Sequence, residues 1–248
     1  MVRGQTPMQG SAPPSPKPVS VAAGGTLIRR PLSGARTAWL VAEMALLFIA
    51  APLAMHAAVH QARIPLFVAL LPILGIVLAI LLADRTFSLK TELARGFGWR
   101  TLLSILVVFA VGALGIWAWL KETHPAWLFE FPRNRPDLWL TVMLAYPVVS
   151  VATQEIVYRT FFFHRYGPLF GDHAGLAIVT NGVLFGFAHI VIGQPFAVVA
   201  TILGGCLFAA RYNETRSFWA VFVEHTLWGA FIFTIGLGRY FFTGVSNV

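Results

Sequence analysis

Residues 138–163 read LWLTVMLAYPVVSVATQEIVYRTFFF. As a helix this stretch is long enough to cross a hydrocarbon core of about 30 Å. It nevertheless carries Gln154, Glu155 and Arg159 in its C-terminal half. Each charge costs roughly 2.5–3.5 kcal/mol at a membrane helix centre on insertion scales. Four residues apart, Glu155 and Arg159 fall on one helical face and can pair, which lowers that cost. Such a pair either locks helices together or belongs to a site.

The rest of the chain has the same character. Of 248 residues, 57% are hydrophobic and only 11% charged, and the mean hydropathy is +0.73. A soluble domain carries about a quarter charged residues, so the composition predicts an all-α, polytopic bundle of transmembrane helices. The net charge of +8 does not indicate nucleic-acid binding. The basic residues lie between apolar runs and in the N-terminal tail, where they set topology. Cys206 is the single cysteine, so no intrachain disulfide forms and the redox compartment stays open.

Residues 1–35, rich in Pro, Gly and Ser without a repeating apolar face, read as a disordered tail rather than a signal peptide. About seven spans follow, at 37–58, 64–83, 101–120, 138–163, 174–193, 196–211 and 217–236. The sixth is short, and Pro195 suggests a tight hairpin with the fifth. N-terminal helices and loops occupy 36–137, a four-helix catalytic core 138–240, and a short tail 241–248. With the N-terminus inside, twelve Lys and Arg fall on the inner side against five outside. That balance favours a cytoplasmic N-terminus.

Most polar groups within spans lie in the C-terminal half. Asn181, Phe185 and His189 stand at i, i+4 and i+8, one stripe of the fifth span. Gly182 and Gly186 allow another helix to approach closely. Glu224 and His225 are adjacent and so face different ways. One carboxylate and two histidines on three spans can activate water and steady an oxyanion. Glu155, His189 and His225 also make a possible zinc set, although no HExxH occurs. Glu43, alone in the first span, fits a helix-packing hydrogen bond better than a proton relay. His56, His60 and His164 lie near interfaces, with His164 placed toward head groups.

In order along the C-terminal spans, "QEIVYR", "FGFAH" and "EHTLWG" resemble the CAAX protease and bacteriocin-processing family of intramembrane endopeptidases. That family's pattern is Glu-Glu-x-x-x-Arg, then Phe-x-x-x-His, then His-x-x-x-Asn. The resemblance covers about residues 140–240. It implies that a glutamate and the first histidine activate water, while the last histidine and asparagine bind the oxyanion. By position Glu155 matches the second glutamate, Arg159 the arginine, Phe185 and His189 the second motif, and His225 the third. Gln154 stands where the first glutamate would be, and Gly229 where the asparagine would be.

These departures leave an active enzyme or a catalytically silent membrane scaffold or immunity factor. Retention of four costly buried polar residues favours the enzyme. A proton-coupled transporter is a third class, but no paired repeat supports it. The resulting expectation is a multi-pass endopeptidase, in a bacterial inner membrane, that cleaves a membrane-associated protein or peptide. Glu155 is the general base held by Arg159, His189 shares water activation, and His225 stabilises the oxyanion. Gln154, Asn181 and Phe185 are auxiliary, and a backbone N–H or the Trp228 indole N–H is a substitute for the asparagine donor. No cofactor is required, with zinc the alternative. Straight-helix geometry raises one difficulty: at 1.5 Å per residue His189 lies about 22 Å from residue 174, and His225 only about 12 Å along its own span.

Overall fold

The computed structural model describes residues 32–64 and 66–241. The expected N-terminal tail, up to residue 31, and residues 242–248 of the C-terminal tail lie outside the described residues. The described residues are helical and contain no strand. Seven long helices follow one another: α1 (Gly34–His60), α2 (Leu66–Ala83), α3 (Trp99–Thr123), α4 (Pro136–Arg165), α5 (Ala174–Ile192), α6 (Pro195–Thr215) and α7 (Phe218–Ile235). Six are long and apolar enough to cross a membrane, and α2 has a shorter apolar stretch, Val68–Ala83. Helix starts carry ordinary signals. Ser33 and Ser217 cap α1 and α7 by accepting from the Arg36 and Ala220 amides, and Pro136 and Pro195 open α4 and α6.

Large apolar side chains such as Val111, Leu144 and Leu203 remain exposed. In lipid such faces carry no penalty, because helix contacts there depend on close packing rather than on escape from water. Packing is tightest between α5 and α6. A Cβ on Gly182 would lie 2.7 Å from the Cys206 amide nitrogen, and one on Gly186 would lie 2.8 Å from that of Ile202. The two helices form the hairpin expected around Pro195.

The sixth span is longer than the sequence predicts. It runs to Thr215, beyond Arg211. Arg211, the last residue of the expected span 196–211 and one of the twelve Lys and Arg assigned to the inner side, is buried and donates to Glu224 through Nε at 2.9 Å and to Ser104 at 3.2 Å. Neutralised in this way, its charge does not end the helix. The fourth span is also longer, and it contains two widened π-helical turns, Pro147–Val151 and Ile156–Phe161. Turns of this kind re-aim side chains and recur at functional sites.

An aromatic core joins α1 to α4. Phe48 meets Tyr158 at 5.1 Å and Phe162 at 5.8 Å, both edge to face. The aromatic run Phe161–Phe163 is buried here. Glu43 accepts from Arg165 Nε and Nη2, each at 2.8 Å, from the Tyr166 hydroxyl at 3.0 Å and from the Trp39 indole at 3.0 Å. That geometry is a helix-packing tie. His164 is half-buried: its Nε2 is 3.2 Å from Asp84 Oδ2, and its ring packs edge-on against Phe87.

Candidate active site

Helices α4, α5 and α7 bring the predicted polar residues to the centre of the bundle. On α4, Glu155 and Arg159 are both fully buried, with Oε2 and Nε 3.4 Å apart. The other carboxylate oxygen, Oε1, is 2.7 Å from Nδ1 of His225 on α7. A carboxylate only accepts, so the ring donates here. Arg159 also lies over the Phe185 ring at 4.6 Å, where the aromatic face offsets part of its burial. Glu224 faces the opposite way, to Arg211, as its adjacency to His225 requires.

His189 begins the tight 3-10 turn that ends α5, His189–Ile192. Side chains on a helix lean toward its N-terminus, and this ring folds back so that Nδ1 is 2.7 Å from the Phe185 carbonyl. The carbonyls of the next two residues face α1, that of Ile190 also accepting from the Gly193 amide at 2.9 Å. His56 Nδ1 is 3.0 Å from Ile190 O, and His60 Nε2 is 2.8 Å from Val191 O. Both α1 histidines therefore donate to the turn that presents His189.

The two catalytic candidates meet despite the difference in depth. Phe185 touches the His189 ring at 4.8 Å and the His225 ring at 5.7 Å. Both histidines line one cavity of about 1150 Å³, together with Gln154, Phe185 and Trp228. In each ring Nδ1 is committed to a protein acceptor, leaving Nε2 for the cavity. Most of the remaining wall is apolar, with contributions from α1, α2 and α3 such as Met55, Leu74 and Ile116.

The other predicted residues divide between cavity and framework. Gln154 donates from Nε2 to Ser150 Oγ at 2.7 Å, while its Oε1 has no partner. Glu155 and Arg159 sit behind the cavity wall and reach it through His225 and Phe185. Asn181 is buried and apart from the cavity, donating at 2.6 Å to the Tyr158 carbonyl in the widened turn of α4. The Trp228 indole nitrogen is buried without a partner. Among the described residues no three His, Cys, Asp or Glu side chains converge as a metal set. As placed, Glu155, His189 and His225 do not fit zinc, because Glu155 spends its oxygens on the His225 ring and Arg159.

Three groups of residues escape the sequence reading. Tyr146 lines the cavity with Ser150 and Gln154, and the four-residue spacing of this polar stripe was the signal. His56 and His60 also repeat at four, but nothing in the sequence connects them to a turn some 130 residues away. Arg211, read as an inner-side charge at the end of the sixth span, lies inside α6.

Residues 136–231 match the family model described as type II CAAX prenyl endopeptidase Rce1-like. No curated protein and no solved structure matches the chain. The matched segment covers α4, α5, α6 and most of α7, which contain both histidines and the Glu155–Arg159 pair. The apolar helices and this match together describe a multi-pass integral membrane protein. Over residues 136–231 the chain is thus similar to the Rce1-like type II CAAX prenyl endopeptidases.

Proposed function

We propose that this protein is an intramembrane endopeptidase that hydrolyses a peptide bond in a membrane-associated protein or peptide. The observation that carries this reading is the pair of histidines, each anchored through Nδ1 and each lining the same cavity. His189 keeps its Nδ1 proton on the Phe185 carbonyl, so Nε2 is the free base. Water held between His189 Nε2 and Gln154 Oε1 attacks the substrate carbonyl carbon as His189 takes its proton. The C=O electron pair moves to oxygen, and His225, charged against Glu155, offers Nε2–H to that oxyanion. On collapse the C–N bond breaks and His189 returns the proton to the leaving amine. Glu155, the base expected from the sequence, acts here through His225, with Arg159 fixing its second oxygen.

Gln154 in place of the family's first glutamate favours a second reading, a silent scaffold on the same fold. One comparison separates the two. New protein termini are catalogued by mass spectrometry in membranes of cells carrying the wild-type chain or His189→Gln at equal levels. Termini present only with the wild type support proteolysis and identify the substrate. Identical catalogues overturn it in favour of the scaffold. With Arg211 buried in α6, eleven Lys and Arg against five still support a cytoplasmic N-terminus, and we assign the protein to a bacterial inner membrane.

A further inference from the structure

We infer that Tyr146 supplies an oxyanion-binding hydroxyl, in the space that a side chain at position 229 would otherwise fill. This rests on the endopeptidase reading and adds a catalytic residue to it. Gly229 is buried on α7, one turn beyond His225. A Cβ built there would overlap the Tyr146 hydroxyl oxygen and the end of its ring. The phenol from α4 therefore occupies the notch left by the missing side chain.

Its position is fixed by packing. The Tyr146 ring stands edge-on to Phe233 at 5.2 Å and to His225 at 6.2 Å. The ring thus has little freedom to swing, and its tip stays beside the histidine proposed to bind the oxyanion. Tyr146 and Gly229 both line the large cavity with Gln154, His189 and His225. Among the described residues the hydroxyl has no hydrogen-bond partner, so its proton is uncommitted. Trp228, the donor suggested by the sequence, is a weaker candidate. Its indole nitrogen is buried, and its ring is braced by Phe109 at 5.2 Å and pressed against Gly112.

A tetrahedral intermediate concentrates charge on one oxygen, and preorganised donors at that point lower the barrier. Tyr146 and His225 supply two donors from different helices. The phenol keeps its proton throughout; the proton taken from water goes to His189 and then to the leaving amine.

The test uses the full-length chain in proteoliposomes and a quenched fluorescent peptide copied from the strongest wild-type-dependent cut. Tyr146→Phe keeps the ring and removes only the donor. Its kcat should fall about 10²–10³-fold, the usual cost of one oxyanion donor, with KM and thermal midpoint unchanged. A Tyr146→Phe enzyme that turns over like the wild type overturns the proposal and leaves proteolysis standing. A chain that produces no termini of its own overturns both. If Tyr146→Phe does not accumulate, Tyr146→Ala is compared with Tyr146→Ala/Gly229→Asn, in which an amide takes the vacated notch. Recovery of turnover in the double variant supports the assignment, and equal turnover in the two overturns it.

Discussion

Glu155 Oε1 lies 2.7 Å from Nδ1 of His225, across seventy residues of chain, while Oε2 of the same carboxylate faces the Arg159 Nε at 3.4 Å. One buried carboxylate therefore holds two helices and sets the ring orientation of the histidine at the cavity wall. Glu155→Gln keeps an acceptor for Nδ1–H but removes the charge that sustains an imidazolium, and it leaves Arg159 without its counter-ion. Turnover should fall about 10³–10⁴-fold, by analogy with loss of the carboxylate charge behind a catalytic histidine. Stability should fall by about 3–5 kcal/mol, the usual cost of breaking a buried pair from one side. Terminus formation rates and reversible unfolding in mild detergent measure the two effects separately.

The α5–α6 contact allows a sharper test of packing. A Cβ on Gly186 would lie 2.8 Å from the Ile202 amide nitrogen and 2.9 Å from the Val198 carbonyl. Both are backbone atoms of α6 and cannot rotate away. Gly186→Ala should therefore cost about 1–3 kcal/mol through overpacking. It should also shift Phe185, and with it the ring that touches both histidines. A control at Gly175, where nothing lies within 4 Å of a Cβ, should leave unfolding unchanged.

The sequence made the helical class, the number of apolar helices and the polar cluster legible, because hydrophobic length and intramembrane charge are local signals. The Glu155–Arg159 pair followed from helical spacing alone. Meeting of Glu155 with His225 depends on how α4 and α7 cross, which no periodicity states. Depth counting along straight helices left His189 too far from His225. The missing terms were the 3-10 turn, the backward lean of the ring and the α1 clamp. Arg211 misled for the opposite reason: its partner Glu224 is on the next helix, so a paired charge looked like the inner end of its span. Tyr146 was hidden because its meaning comes from Gly229, an absent side chain on another helix.

Outside the helices, Asp84 accepts from the Thr86 hydroxyl at 2.7 Å and the Thr86 amide at 2.9 Å, with His164 beyond. These donors, the hydroxyl most strongly, hold its carboxyl down to about 2 from 3.8. A depressed carboxylate stabilises the folded state above the unfolded value of 3.8, and that contribution disappears as pH falls toward 2. A carboxyl-labelled NMR titration should show the low midpoint. Thr86→Val, which keeps the amide and removes the hydroxyl, should move the midpoint up toward 3.8. An unchanged midpoint would assign the shift to the amide and His164 instead.

His56 and His60 offer a test of whether the α5 turn is preorganised for chemistry. Their rings lie 4.4 Å apart on α1 and donate to the Ile190 and Val191 carbonyls immediately after His189. Each bond contributes about 0.5–1.5 kcal/mol net to stability, so His56→Phe/His60→Phe should leave the bundle folded. The loss should concentrate in the turn, where the Val191 carbonyl loses its donor, that of Ile190 keeps only the Gly193 amide, and the 3-10 geometry of 189–192 can relax. Amide exchange should accelerate at residues 190–194 while α4 and α7 remain protected. Because misplacement by about 1 Å can cost about 10²-fold in rate, kcat should fall well beyond the change in stability, with KM nearly unchanged. Faster exchange with full turnover would show that His189 keeps its place without the clamp. Its position would then depend on the Phe185 carbonyl alone.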